Sequence, residues 1–319
     1  MDVVVVGSFV QDHAWMVERF PETGETIRAT GFNTGPGGKG FNQAVACLRQ
    51  GVSTLFVGAL GDDHLGAIAQ AFANDERLAC RWLIQRDTPT SASSIVVDPT
   101  GSNRLVVNFG ANEKLDPEFV RAQAKDIAGA KLLLLQLENN LDAIHAALDV
   151  AAQRGVTRML NPAPVHAKLD AGLLAKCDLI TPNETEFSLL LERVTDARAP
   201  ASTLADRSDA DLHALARKLG VATVVITLGA RGCFVSHDNR RDDIDTFYRL
   251  PPEAVNAVDT TGAGDAFSGT LAAALILFAG RPFRDAVTHA NRAAAMSTES
   301  VGTAPIMPRF EEVAARFAG

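Results

Sequence analysis

Short runs of apolar residues alternate along the chain with longer stretches of helical periodicity that end at glycine. The runs at residues 3–6, 54–57, 131–135, 157–160, 179–181 and 222–227 read as strands. Residues 40–50, 141–153 and 211–219 read as helices, with Gly51, Gly155 and Gly220 behind them. Glycine there supplies the left-handed residue that closes a helix. Strand and helix in strict alternation predict βαβ units, and hence an α/β fold with a mainly parallel sheet covered by helices.

Two regions break this rhythm. Residues 13–33 and 91–108 both read as β structure, the second with Pro99-Thr100-Gly101-Ser102 as the turn between two alternating strands. They predict a small sheet projecting from the main one as a lid, whose free face or edge suits a homodimer contact. Residues 195–208, with Pro200 and mixed charges, read as a solvent loop. Residues 264–280 and 283–300 read as two long apolar helices on the sheet. No repeat or linker divides the chain, so 1–319 reads as one domain, with lid strands from about 13–34 and 91–108.

The 319 residues are 47% hydrophobic and 21% charged, which excludes a disordered chain. No segment approaches the ~20 uncharged apolar residues of a membrane span. The first apolar run is short and lacks a basic flank, so it reads as a core strand and predicts a cytoplasmic protein. A formal net charge of −8 argues against nucleic-acid binding, which rests on clustered Lys and Arg. An anionic nucleotide would have to be held locally, by backbone amides, a metal ion and a few basic groups. The four cysteines are widely spaced, with no CxxC pair to suggest a disulfide framework or a zinc site.

Three motifs carry chemistry. Asp259-Thr260-Thr261-Gly262-Ala263-Gly264-Asp265 precedes a strongly apolar helix. Its small residues leave backbone N–H groups bare at a helix N-terminus, an anion-binding arrangement. Asp265 is placed to accept a proton from an attacking hydroxyl, although an N-cap after a glycine turn accounts for it equally. Gly35-Pro36-Gly37-Gly38-Lys39-Gly40-Phe41-Asn42 satisfies G-x-G-x-x-G but follows the first strand by some thirty residues, so the dinucleotide reading fails on position. Gly40 stands where a Walker A loop needs Ser or Thr. What remains is a glycine turn that lets a substrate approach the backbone, with Lys39 and Asn42 offering donors to hydroxyls. Thr181-Pro182-Asn183-Glu184-Thr185-Glu186 ends a strand and starts a helix. Its carboxylates suit a hydrated Mg2+, or simply an acidic first turn. Asp12, Glu138, Asn161 and Thr227 follow other strands, where ligands of open α/β sheets bind.

In this order the motifs resemble the ribokinase family of carbohydrate kinases, of the phosphofructokinase-B type. Gly37-Gly38-Lys39-Gly40-Phe41-Asn42-Gln43-Ala44 is similar to its first signature, and Asp259 through Asp265 with Ala266-Phe267 to its second. The resemblance implies a three-layer αβα fold with a small β lid. It also implies transfer of the ATP γ-phosphate to a sugar primary hydroxyl, with D-ribose foremost and fructose, 2-keto-3-deoxygluconate or a nucleoside as alternatives. Asp265 would be the catalytic base, and Gly262, Ala263 and Gly264 the anion hole. Asp12, Gly38, Lys39, Asn42 and Glu138 fall on sugar-binding positions. Asn183, Thr227, Gly229, Gly232, Gly264 and Asn291 fall on ATP-binding positions, and Glu186 on a water-mediated Mg2+ position. A monovalent cation, K+, would draw on Asp259, Thr261, Ser297, Ser300 and Gly302. Two departures bear on the acceptor: Val10 replaces an asparagine that contacts a sugar hydroxyl, and Phe41 adds bulk where a small residue is common. Ile306 replaces a serine at the edge of the cation site.

Overall fold

A computed structural model describes residues 1–239, 243 and 245–317. Its strands are β1 (Val3–Val6), β2 (Val10–Met16), β3 (Gly31–Gly37), β4 (Thr54–Gly61), β5 (Ala79–Gln85), β6 (Ala92–Val97), β7 (Asn103–Asn108), β8 (Leu132–Leu135), β9 (Thr157–Leu160), β10 (Leu179–Ile180), β11 (Thr223–Thr227), β12 (Cys233–His237) and β13 (Phe247–Leu250). Among the described residues, nine form one sheet in the order β13-β12-β11-β10-β9-β8-β1-β4-β5, parallel except at β12 and β13. The order turns back on itself beside β1, as in doubly wound sheets, whose ligands bind outside the carboxyl ends of the strands.

The central strands are apolar throughout because both their faces are covered. Val4, Val6, Leu133 and Leu135 pack under the helices Leu141–Ala152 and Glu184–Val194. Val3, Val5, Leu132 and Leu134 pack under Lys39–Arg49, Ala263–Leu277 and Phe283–Ser297. This gives the expected layering, with helices on both sides of the sheet.

The smaller sheet runs β3-β2-β6-β7, with β2 parallel to β6 and the outer pairs antiparallel. Its register sets Asp12 opposite Gly35 and Ser93. The β expectation for residues 13–33 holds only at its ends. Between them Pro21, Gly24 with φ 80° and an Arg19–Glu25 ion pair make an irregular excursion. Residues 195–208 are likewise less free than a solvent loop: Ala201–Leu204 is a helical turn, and Ala199 and Leu204 enter the core. The antiparallel pair of β12 and β13 had no sequence expectation, being two short strands separated by a polar stretch of sequence.

Phe41 corrects the acceptor reading. Its ring is fully buried and meets Phe9, Phe56, Phe72 and Trp82 edge-on or tilted, at 5.2 to 6.2 Å between centroids. It belongs to the core beneath the Lys39–Arg49 helix and adds no bulk to a sugar site. Phe41→Ala is therefore expected to lower unfolding stability by about 3–5 kcal/mol in denaturant titrations, while the folded fraction keeps its acceptor KM. A changed KM at nearly unchanged stability would contradict this placement.

Candidate active site

The first glycine motif makes room for the protein itself. Gly38 has φ 90°, and a Cβ there would lie 2.5 Å from the Val10 backbone nitrogen. A Cβ on Gly40 would lie 2.5 Å from the Gly7 Cα. Bare backbone at these two points lets the Lys39–Arg49 helix start against the end of β1. Its first turn then projects Lys39, Asn42 and Gln43 beyond the strand ends.

The second motif arrives from the opposite side. Gly262, at φ 79°, turns the chain into the helix Ala263–Leu277, and Asp265, itself buried, stands in its first turn. Asn42 Nδ2 donates to Asp265 Oδ2 at 2.9 Å, and Gln43 Nε2 donates to Oδ1 at 2.9 Å. Two helix starts are thus joined through one carboxylate. Gly264 has open space where a side chain would be, whereas the Ala263 N–H already donates to the Thr260 carbonyl at 3.3 Å. Of the three amides, that of Ala263 is therefore already engaged in the turn.

Lys39 gathers the charges. Burial opposes its ammonium, yet the carboxylates of Asp265, Glu138, Glu186 and Asp12 raise its pKa. Glu138 Oε2 accepts from the Ser8 hydroxyl at 2.5 Å and from the Lys39 N–H at 3.0 Å. Burial raises its pKa and Lys39 opposes the rise. Asp12 accepts from Ser93 at 2.5 Å and Thr303 at 3.4 Å. Burial, with Glu138 nearby, pushes it up to about 6 against these hydrogen bonds. A cavity of about 810 Å³ opens here between the small sheet, with Asp12, Met16 and Ile95, and the loops carrying Asp259, Thr261 and Gly302.

Most of the residues expected to hold a nucleotide lie at further strand ends. Asn183 caps the helix Glu184–Val194: its side chain accepts from the Glu186 N–H at 2.8 Å, and Glu186 accepts from the Asn183 N–H at 2.9 Å. The motif is thus a capping box with an acidic first turn, as the structural alternative for it required. It still leaves Glu184 and Glu186 with pKa values raised by burial, a carboxylate pair that suits a cation. Thr227 bridges to Asn183 at the end of β11, with Gly229 and Gly232 in the turn beyond. Asn291 donates to the Pro251 carbonyl at 3.0 Å, so it clips the loop after β13 to its helix. Asp259 joins two loops by accepting from the Thr261 N–H at 2.9 Å and the Gly302 N–H at 3.2 Å. Ser297 donates its hydroxyl to Ala294, and the Ser300 N–H reaches the Ser297 carbonyl.

Residues 1–309 match the model of the pfkB family carbohydrate kinases. The chain belongs to this family. Family relatives include ribokinases of Mus musculus, 35% identical over 96% of this chain and 91% of the mouse protein, and of Haemophilus influenzae, 34% identical over 97% and 96%. A deoxyribokinase of Salmonella typhi is 32% identical over 85% of each chain. Among solved structures, ribokinase from Giardia lamblia superposes with a TM-score of 0.87 at 27% identity, covering 99% and 98% of the two chains. Arabidopsis thaliana ribokinase complexed with ribose and ATP gives 0.82 at 29% identity, covering 98% and 97%.

Within this family frame, sequence reasoning had not assigned Ser8, Ser93, Thr303 or Gln43 to the site. Ser93 could have been found from the pairing of two strands of the small sheet; Thr303 comes from a distant loop and carries no local signal.

Asp12 yields a test. Its folded pKa of about 6 lies above its ordinary 3.8, so its charge costs stability above pH 6, and the cost fades as pH falls toward 4. Asp12→Asn is expected to stabilise the ligand-free protein at pH 7.5 by about 1–2 kcal/mol, discounted for partial exposure, with no gain at pH 4. Denaturant titrations at the two pH values check this; equal or lower stability at pH 7.5 contradicts it.

Proposed function

We propose that the chain transfers the γ-phosphoryl group of ATP to the primary hydroxyl of a small sugar, with D-ribose as the first acceptor. The observation that carries this reading is Asp265, buried at a helix start and held by one amide donor on each carboxylate oxygen. The acceptor hydroxyl attacks the γ-phosphorus in line and gives its proton to Asp265, while the bond to the ADP oxygen breaks. The N–H groups around Gly262, Ala263 and Gly264 and the ammonium of Lys39 stabilise the charge on the transferred group. Asp12, Gly38, Asn42 and Glu138 orient the sugar. Asn42 Oδ1, buried and without a hydrogen-bond partner, is a ready acceptor for a sugar hydroxyl.

Asn183, Thr227, Gly229, Gly232, Gly264 and Asn291 hold the nucleotide in this proposal. Glu186, with Glu184 beside it, would hold Mg2+ through water, and the ion would neutralise phosphate charge. The loops that Asp259 joins, with Thr261, Ser297, Ser300 and Gly302, would hold K+. The chain acts as one domain in the cytoplasm with the small sheet as lid. Trp15 and Phe32, tilted against each other at 4.3 Å between ring centroids and 40% and 51% exposed, are the centre of a homodimer contact on that sheet.

A second acceptor has a specific observation behind it. Val10, 3% exposed at the start of β2, presents no polar group where a hydroxyl contact is expected. This favours an acceptor with one hydroxyl fewer, and deoxyribokinases stand among the relatives.

Asp265→Asn should lower kcat by about 10²–10⁴-fold with ATP affinity little changed; near-normal turnover would remove Asp265 as the base. Turnover on ribose, 2-deoxyribose, fructose, 2-keto-3-deoxygluconate and inosine, with and without K+, ranks the acceptors. If Val10 sets the choice, Val10→Asn moves the kcat/KM ratio toward ribose over deoxyribose by about tenfold or more; an unmoved ratio contradicts that role.

A further inference from the structure

We infer that Gln43 is the positioning residue of Asp265, fixing the base to the central sheet independently of substrate; this rests on the kinase reading above. Gln43 is fully buried, and both amide hydrogens and the carbonyl oxygen of its carboxamide are engaged. Nε2 donates to Asp265 Oδ1 at 2.9 Å and to Asn161 Oδ1 at 3.1 Å, and Oε1 accepts from Gln136 Nε2. Gln136 and Asn161 directly follow β8 and β9.

Two groups that can only accept determine which way these amides face. An ionised Asp265 carboxylate offers no proton, so Gln43 must turn its NH2 toward it. The Thr181 carbonyl offers none either, so Asn161 turns its NH2 there, at 2.9 Å, and its oxygen toward Gln43. Both references require the same orientation of Gln43. A flipped amide would set its oxygen against two acceptors and its nitrogen against the Gln136 donor. The arrangement therefore has one low-energy state.

Asn42 and Gln43 divide the work around Asp265. Asn42 lies at a proposed sugar position and keeps an unpartnered oxygen. Gln43 has no amide hydrogen left for a ligand, and its partners besides Asp265 are Asn161 and Gln136 at the strand ends. Its contribution is the orientation of the base, which appears in turnover rather than in nucleotide affinity.

The test compares wild type with Gln43→Met, which keeps length and removes the donors, and Gln136→Met, which removes the anchor behind Gln43. Steady-state kinetics on the preferred sugar are combined with ATP affinity and thermal stability. Gln43→Met is expected to lose about 30–100-fold in kcat with ATP affinity within about twofold. Gln136→Met loses less in the same direction, about fivefold. A folded Gln43→Met with kcat within twofold of wild type overturns the inference, as does a loss confined to stability or ATP affinity. If Gln43→Met does not fold, Gln136→Met decides: a selective kcat loss supports the inference and unchanged kcat overturns it. Wild type without turnover on any sugar overturns the kinase reading as well, whereas active wild type with unaffected variants overturns only the role of Gln43.

Discussion

Everything at this site depends on one buried carboxylate shared between two helix starts. Asp265 would be costly to bury ionised without partners, and Asn42 and Gln43 supply a donor to each oxygen. Both helices must therefore meet at one point above the sheet. That requirement explains the bare backbone at Gly38 and Gly40, where any side chain would push the Lys39–Arg49 helix away from β1. It also explains why the α/β layering matters for chemistry: β8, β9 and β10 end beside the network, and Gln136, Asn161 and Thr181 extend it.

The site's charge balance follows from the same geometry. Four carboxylates converge on Lys39 in a chain of net charge −8, so anionic phosphate would meet repulsion unless cationic and amide groups are concentrated locally. Lys39, the open N-terminus at Gly264 and a carboxylate pair suited to a cation supply that concentration.

Much of this was legible in the sequence. The buried strands announce themselves as apolar runs because both faces are covered, and the ends of several helices, such as Lys39–Arg49 and Leu141–Ala152, are marked by glycine. The two glycine motifs and the acidic strand end locate the site because such spacings are dictated by backbone geometry. Other parts were hidden for physical reasons. Phe41 looks like an intrusion into the site, yet a helix turns successive residues by about 100° and its ring enters the core while Asn42 faces Asp265. Gln43 belongs to the first glycine motif, yet only its neighbours in space reveal that both of its amide hydrogens are committed. Thr303 reaches Asp12 across 291 positions of chain, a pairing that no local pattern encodes. The capping box that Asn183 and Glu186 form shows the reverse case, a motif whose structural role is complete in itself.

The central claim is that a sugar's primary hydroxyl reacts at Asp265 while that carboxylate stays held by Asn42 and Gln43. A crystal structure of the complex with ribose, or with the better acceptor, and a non-hydrolysable ATP analogue tests this directly. The account predicts the primary hydroxyl oxygen at about 2.6–3.2 Å from an Asp265 oxygen, with the Gln43 hydrogen bond retained and the γ-phosphate on the far side of that hydroxyl. A sugar bound with its primary hydroxyl away from Asp265, or an Asp265 released from Gln43 in the complex, would contradict it.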